Sequence, residues 1–258
     1  MTALVQTLDH GPLREIRMAR PPVNALNAEL CRGLIMALNN AVSDGMHGIV
    51  LTGNSKVFSA GMDVPHLLSL GKDREALLDA WQAFFGVART LAESRVPVVA
   101  GLSGHAPAGG CVLALCCDYR IMARSDDPAR PFAIGLNETQ VGLVVPEGIQ
   151  LLLRRAVGVH RAGSMMVTGE MVPAERALAI GLVDELVAPE QLLPRALAWL
   201  GALAALPQQP MLQTRAVARA DLVAALHGDN VQLERFIDGW HSADAQRALQ
   251  ALVARLGK

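Results

Sequence analysis

Basic blocks, paired cysteine spacings and long uninterrupted apolar runs are all missing from this 258-residue chain. Lys and Arg total 23 against 24 Asp and Glu, so the net charge is −1. That balance, with no cationic cluster, excludes nucleic acid as the main partner and leaves room only for a local basic pocket. The cysteines are Cys31, Cys111, Cys116 and Cys117. They form no C-x-x-C pair and have no matching histidine spacing, so no metal site is expected. Three of them lie in the apolar run CVLALCC, where cysteine serves as a small hydrophobe, and reduced thiols in a cytosol are expected. The segment PVVAGLSGHAPAGGCVLALCC is interrupted by His105, Pro107 and glycines, which argues against a membrane span. The N-terminal MTALVQTLDHG has no basic region followed by an apolar run, so no signal peptide is expected and the cytoplasm is the expected compartment.

What is present is a 52% hydrophobic chain. At this length a domain buries roughly 75% of its unfolded surface and needs no disulfides. LVQTL and LREIRM flank a DHGP turn and predict a β-hairpin. Residues 27–44 carry apolar side chains at helical spacing, from Leu30 and Leu34 to Leu38 and Ala41. GIVLTG and PVVAGL predict buried strands, separated by a helix containing Trp81, Phe84, Phe85 and Leu91. DYRIMA and PFAIG predict further strands. This alternation predicts an α/β core over residues 1–188. Residues 189–258 carry no strand signal and predict helices broken at LPQQP and HGDN, the last with Ser242 as N-cap and Asp244 in its first turn. An apolar stripe of Leu233, Phe236, Ile237 and Trp240 marks either a subunit interface or a face packed on the chain's own core.

Two loops and one carboxylate carry the chemistry. FSAGMD (residues 58–63) and GHAPAGGC (residues 104–111) each follow a strand and precede a helix. Small residues let a ligand approach the backbone, and the first N–H groups of a helix lack internal partners. Each loop alone reads as an ordinary tight turn, and neither has phosphate-loop spacing. Asp63 fits an N-cap. Downstream, IGLNETQVGLVVP holds one acidic residue, Glu138, in an otherwise apolar stretch without Lys or Arg. An ionised carboxylate is costly to bury unpaired. The plain alternative is a surface glutamate paired with Asn137 or a distant arginine.

Taken together, PPVNALN (residues 21–27), FSAGMD, PAGGCVLALCCDYRI (residues 107–121) and IGLNETQ resemble the enoyl-CoA hydratase/isomerase, or crotonase, superfamily over essentially the whole chain. PPVN, PAGGC and IGLNETQ are most similar to its mitochondrial-type Δ3,Δ2-enoyl-CoA isomerase branch. The resemblance implies a ββα superhelical core with a C-terminal helical region that assembles a homotrimer or a dimer of trimers. It implies an acyl-CoA substrate, no separate cofactor and no metal. It places oxyanion-hole N–H donors at Ala60 and Gly109, with Ser59, Gly61, Met62, Asp63, Val64, Gly110 and Val112 around the substrate. Family hydratases use two glutamates; here Val112 occupies one position and Glu138 the other. A single carboxylate suits an isomerase, which moves a proton from C2 to C4. Hydration, thioester hydrolysis or decarboxylation, and non-catalytic acyl-CoA binding, are the competing readings. Three departures stand out. Pro65 and His66 replace the usual lysine after the first loop, which leaves the CoA phosphates without an evident partner. Four extra residues around SDDPARP are expected to reshape the pocket wall. His66 and His105 flank the site, with solvated or structural roles expected for both.

Overall fold

The alternating side chains of residues 5–18 close on themselves around Gly11, whose φ of 64° suits a tight turn. Strand β1 (Val5–His10) runs antiparallel to β2 (Leu13–Met18), with Val5 opposite Met18. The structure, a computed structural model, describes residues 3–256. Helix α1 (Ala28–Ser43) begins where the Asn27 side chain accepts the Leu30 N–H at 2.9 Å, and it buries Leu30, Leu34, Leu38 and Ala41. Strand β3 (Gly48–Thr52), helices α2 (Val64–Ser69) and α3 (Arg74–Ala92) and strand β4 (Val98–Leu102) follow. Every residue of β3 and β4 is buried, as both faces of a parallel sheet require.

A two-residue strand β5 (Ala106–Pro107) leads into α4 (Gly109–Leu115), then β6 (Tyr119–Ala123) and β7 (Ala133–Gly135). A 3-10 turn spans Glu138–Val141. Then come α5 (Glu147–Val157), α6 (Val159–Thr168), β8 (Val172–Pro173), α7 (Ala174–Ala179) and β9 (Glu185–Val187). The main sheet has the order β1-β2-β3-β4-β6-β9 and is parallel from β2 onward, while β5, β7 and β8 form a separate small sheet. The α/β expectation is met, and the β-hairpin and the strands in DYRIMA and PFAIG lie where the sequence predicts them.

The C-terminal region is helical: α8 (Leu192–Ala204), α9 (Gln208–Ala218), α10 (Ala220–Ala225), α11 (Gly228–Val231), α12 (Leu233–Trp240) and α13 (Ala243–Leu256). The chain breaks at LPQQP as predicted, whereas HGDN contributes a short helix that reverses at Gln232 (φ 45°). Ser242 Oγ accepts the Ala245 N–H at 3.2 Å, the predicted cap. Helix α8 lies on the main sheet, packing Leu192, Ala196 and Leu200 on Leu13, Val50, Val99 and Ile121. Asp118 clamps the next segment down: it accepts from Val98 N–H at 2.7 Å, Arg215 at 2.7 and 2.8 Å and Arg219 at 3.0 Å. Arg219 also donates to the carbonyls of Leu91, Ala92 and Cys116, which close α3 and α4.

The stripe on α12 is not free for a subunit contact. Ile237 and Trp240 are fully buried in the chain's own core, with Leu233 and Phe236 packed against it. The Trp81 ring on α3 lies 4.6 Å from Phe236 and 6.1 Å from Trp240. The apolar periodicity is genuine, but its partner is intramolecular.

Candidate active site

Parallel pairing brings the two loops and the carboxylate to one end of the strands. Beyond β3 and β4, Val57 bridges His105 in parallel, so the first loop runs beside the second. Strand β5, which precedes Gly109, pairs in parallel with β7, which precedes Glu138, matching Ala106 to Ile134 and Pro107 to Gly135. The Ala108 N–H donates to the Gly135 carbonyl at 2.8 Å and locks that register. Ligands of parallel α/β proteins gather at this carboxyl edge.

The loops touch through backbone. A Cβ on Gly61 (φ +81°) would stand 3.1 Å from the Gly109 nitrogen, and one on Gly110 would stand 2.5 Å from the Ser59 carbonyl oxygen. Glycine is required at both positions by the close approach, and at Gly61 also by the dihedral. Ala108 has φ 46° and ψ −117°, a sparsely populated conformation held by its bond to Gly135. Buried Asn24 braces the first loop: its side chain donates to the Phe58 carbonyl at 3.1 Å, and its carbonyl accepts from Ser59 Oγ at 2.8 Å. The sequence flagged PPVN as a motif without giving Asn24 this part; a polar residue among apolar neighbours was the available signal.

This geometry corrects one expected donor. The Ala60 N–H already donates to the Val23 carbonyl at 3.0 Å, so it is not available to a ligand. Two residues on, the Met62 N–H donates to no partner among the described residues, because the isolated bridge to Leu26 uses the carbonyl of Gly61 and the amide of Asp63 instead. The Gly109 N–H opens α4 and is likewise free. Met62 and Gly109 thus bring to the cavity two amides without a partner among the described residues, on either side of the Gly61 contact.

Glu138 is 9% exposed, has no salt-bridge partner among the described residues, and its Oε2 accepts no hydrogen bond there. Burial raises its carboxyl from 4.5 to about 7, opposed only by a backbone hydrogen bond of its own residue. The surface-glutamate alternative is overturned. Val112 is completely buried, and it faces the core of α4 rather than the cavity.

Glu138 opens onto a cavity of about 530 Å³, within the usual range for ligand sites. Of the predicted residues, Ala60, Met62, Asp63, Val64, Gly109 and Glu138 line it. Ser59, Gly61, Gly110 and Val112 stand behind it as packing and do not reach the cavity. Trp81, Phe84, Leu143, Ile149, Phe236 and Trp240 form an apolar end that the sequence scatters over three helices and a loop. Asp63 caps α2, accepting the His66 N–H at 3.1 Å, and pairs with Arg20 at 2.6 Å. Among the described residues Arg20 is the one cation lining the cavity, and sequence reasoning missed it.

The flanking features are structural. His66 is exposed and does not line the cavity. His105 Nδ1 accepts the Ala133 N–H at 3.2 Å, joining the second loop to β7, and burial holds the imidazole below its usual range. Residues 125–131, the SDDPARP insertion, do not form the cavity wall. All four cysteines are buried free thiols, and burial raises that of Cys31 to about 12. No group of three His, Cys, Asp or Glu side chains able to hold a metal ion occurs among the described residues. No helix among them is long and apolar enough to cross a membrane.

The mixed sheet thus carries free amides and a buried acid at its carboxyl edge, where α/β proteins bind ligands. Comparison with known proteins gives the family. The enoyl-CoA hydratase/isomerase family matches residues 10–255, and this chain belongs to it. It is similar to human "Enoyl-CoA delta isomerase 1, mitochondrial", 31% identical over 244 residues, covering 93% of this chain and 79% of the relative. It is also similar to a "Probable enoyl-CoA hydratase" of Rhizobium meliloti (strain 1021), 34% identical over 259 residues, covering 98% and 95%. The crystal structure of human mitochondrial delta3-delta2-enoyl-CoA isomerase superposes with a TM-score of 0.91 at 30% identity, covering 99% of this chain and 98% of that one. The fold is the crotonase fold, and the family acts on acyl-CoA substrates.

Proposed function

We propose that the protein is a Δ3,Δ2-enoyl-CoA isomerase in which Glu138 alone moves the proton. The observation that carries this reading is an unpaired carboxylate, raised to about 7, at the wall of an apolar cavity whose other lining carboxylate among the described residues, Asp63, is held by Arg20. The thioester oxygen would sit between the N–H groups of Met62 and Gly109. As the C2 proton leaves, charge builds on that oxygen, and preorganised donors hold it more strongly than they hold the starting carbonyl. The ionised Glu138 takes the C2 proton, the double bond migrates, and the same carboxyl returns the proton to C4. A base with a pKa near the working pH can both accept and release it. A dry pocket keeps water from the enolate.

Coenzyme A arrives as part of the substrate, and the chemistry calls for no metal. Arg20 is our candidate for the CoA phosphates in place of the missing lysine. Cytoplasmic residence is in keeping with four free thiols. A homotrimer or dimer of trimers remains part of the proposal, and it must use a surface other than the α12 stripe.

The similarity to a probable hydratase supports a second reading, hydration of 2-enoyl-CoA. A panel of 3-enoyl and 2-enoyl thioesters of matched length, followed for both isomerisation and hydration, separates the two. Isomerisation should dominate. Hydration of crotonyl-CoA at a rate comparable with isomerisation would overturn the single-base reading.

A further inference from the structure

Beside the cavity holding Glu138 lies a second cavity of about 430 Å³. Leu143, Pro146, Phe236 and Trp240 line both, so the two compartments are separated by about one side chain. The shared wall stands at the apolar end of the first cavity, beside Trp81. Its far side has a different chemistry. Arg154 and Arg235 line the second cavity, with Glu147 as its one acidic residue among those described.

These arginines have no counterion among the described residues. Unlike the half-buried Arg154, most arginines with buried or half-buried side chains hold carboxylates: Arg14, Arg20, Arg120, Arg215 and Arg219 all do so. Arg154 donates only to the neutral Gln150 amide at 2.9 Å, and its Nε is buried with no acceptor among the described residues. Arg235 reaches only the Gln232 amide, at 3.3 Å. Neither comes within ion-pair distance of Glu147 or any other described carboxylate, since no salt bridge involves them. Arg154 is half-buried and Arg235 exposed at the rim. A guanidinium partly withdrawn from water, as that of Arg154 is, is best complemented by an anionic oxygen, and a carboxylate matches its fork.

We propose that the second cavity receives the far end of a long acyl chain carrying a terminal carboxylate, which makes ω-carboxyacyl-CoA thioesters the favoured substrates. The inference rests on the acyl-CoA reading of the first cavity. Methylenes occupy the apolar end around Trp81, the chain passes the wall of Phe236 and Trp240, and the carboxylate meets Arg154 and Arg235. A plain chain of the same length places a methyl group among these cations and gains nothing from them.

The test is equilibrium binding of saturated thioesters, plain and ω-carboxylated, in two series of matched and increasing chain length. Past a threshold length the carboxylated ligands should bind about tenfold more tightly, the scale of one hydrogen bond to a charged group. Arg154→Met with Arg235→Met should bring the ratio of the two dissociation constants near one. Arg235 lies on the exposed side of α12, so Arg235→Met alone still reads the ratio if loss of Arg154 disturbs α5. Equal affinities of the two series at every length, or a ratio unchanged in the folded variants, would overturn the inference. Saturated ligands cannot isomerise, so absence of isomerase turnover overturns the proposed function while this ratio still stands or falls separately. Failure of both series to bind overturns the two together.

Discussion

Two carboxylates lie inside this molecule under opposite conditions. Asp118, between α4 and β6, receives Arg215, Arg219 and the Val98 amide, so each of its oxygens has at least one strong donor. Glu138 is as deeply placed and receives no side chain at all. A fully paired buried charge fixes geometry: Asp118 ties α9 and the start of α10 to the ends of α3 and α4. An unpaired one tolerates its site only by holding its proton more tightly, and that is the property a proton-transfer group needs. The first is built to stay as it is, and the second to change state.

The largest effect that would sharpen this contrast is on turnover. Glu138→Gln keeps the shape but removes the base, and isomerisation of a 3-enoyl-CoA should fall by about 10² to 10⁴-fold. Steady-state rates check this, with circular dichroism to establish folding. A variant retaining half the wild-type rate would remove Glu138 from the chemistry and break the comparison.

Next comes stability at the paired site. Asp118→Ala leaves Arg215 and Arg219 facing each other without a counterion, at side-chain exposures of 12% and 8%. Removing one partner of a buried ion pair costs about 3–5 kcal/mol. Urea unfolding should show that loss in the midpoint. A loss below about 1 kcal/mol would place Asp118 among ordinary surface charges.

The third effect is smaller and runs with pH. The Glu138 carboxyl is raised from 4.5 to about 7, so the folded protein keeps a proton that the unfolded chain releases. Stability from this group is full below about pH 4.5 and is lost as pH rises through about 7. The shift corresponds to roughly 3 kcal/mol at 1.36 kcal/mol per pH unit. Relative to wild type, Glu138→Gln should therefore gain stability as pH climbs from acid to mildly alkaline. Turnover of the wild type should rise across the same interval as the base ionises. A stability difference independent of pH would contradict the raised pKa.

The hairpin, α1 with its Asn27 cap, and the strands β3 and β4 were legible because local rules produce them: side-chain period, turn residues and end caps. Strands β5 and β8 were not, since two residues carry no period, and they exist only because a neighbouring strand completes their hydrogen bonds. The stripe on α12 was legible as apolar but not in its destination. Periodicity says which face is buried and is silent on what buries it.

By itself the sequence determined the α/β class, the family, the approach of two small-residue loops to a ligand, and the one ionisable group in an apolar stretch. Tertiary structure alone decided which amides stay free. Ala60 and Met62 are two residues apart in one loop, and only the arrival of the Val23 carbonyl occupies the first while Leu26 bonds to the neighbours of the second. It alone decided that Glu138 has no counterion among the described residues and that Arg154 and Arg235 share a cavity across a wall from it. Hydrogen bonding and desolvation depend on which atoms arrive from distant parts of the chain, and local sequence does not encode that arrival.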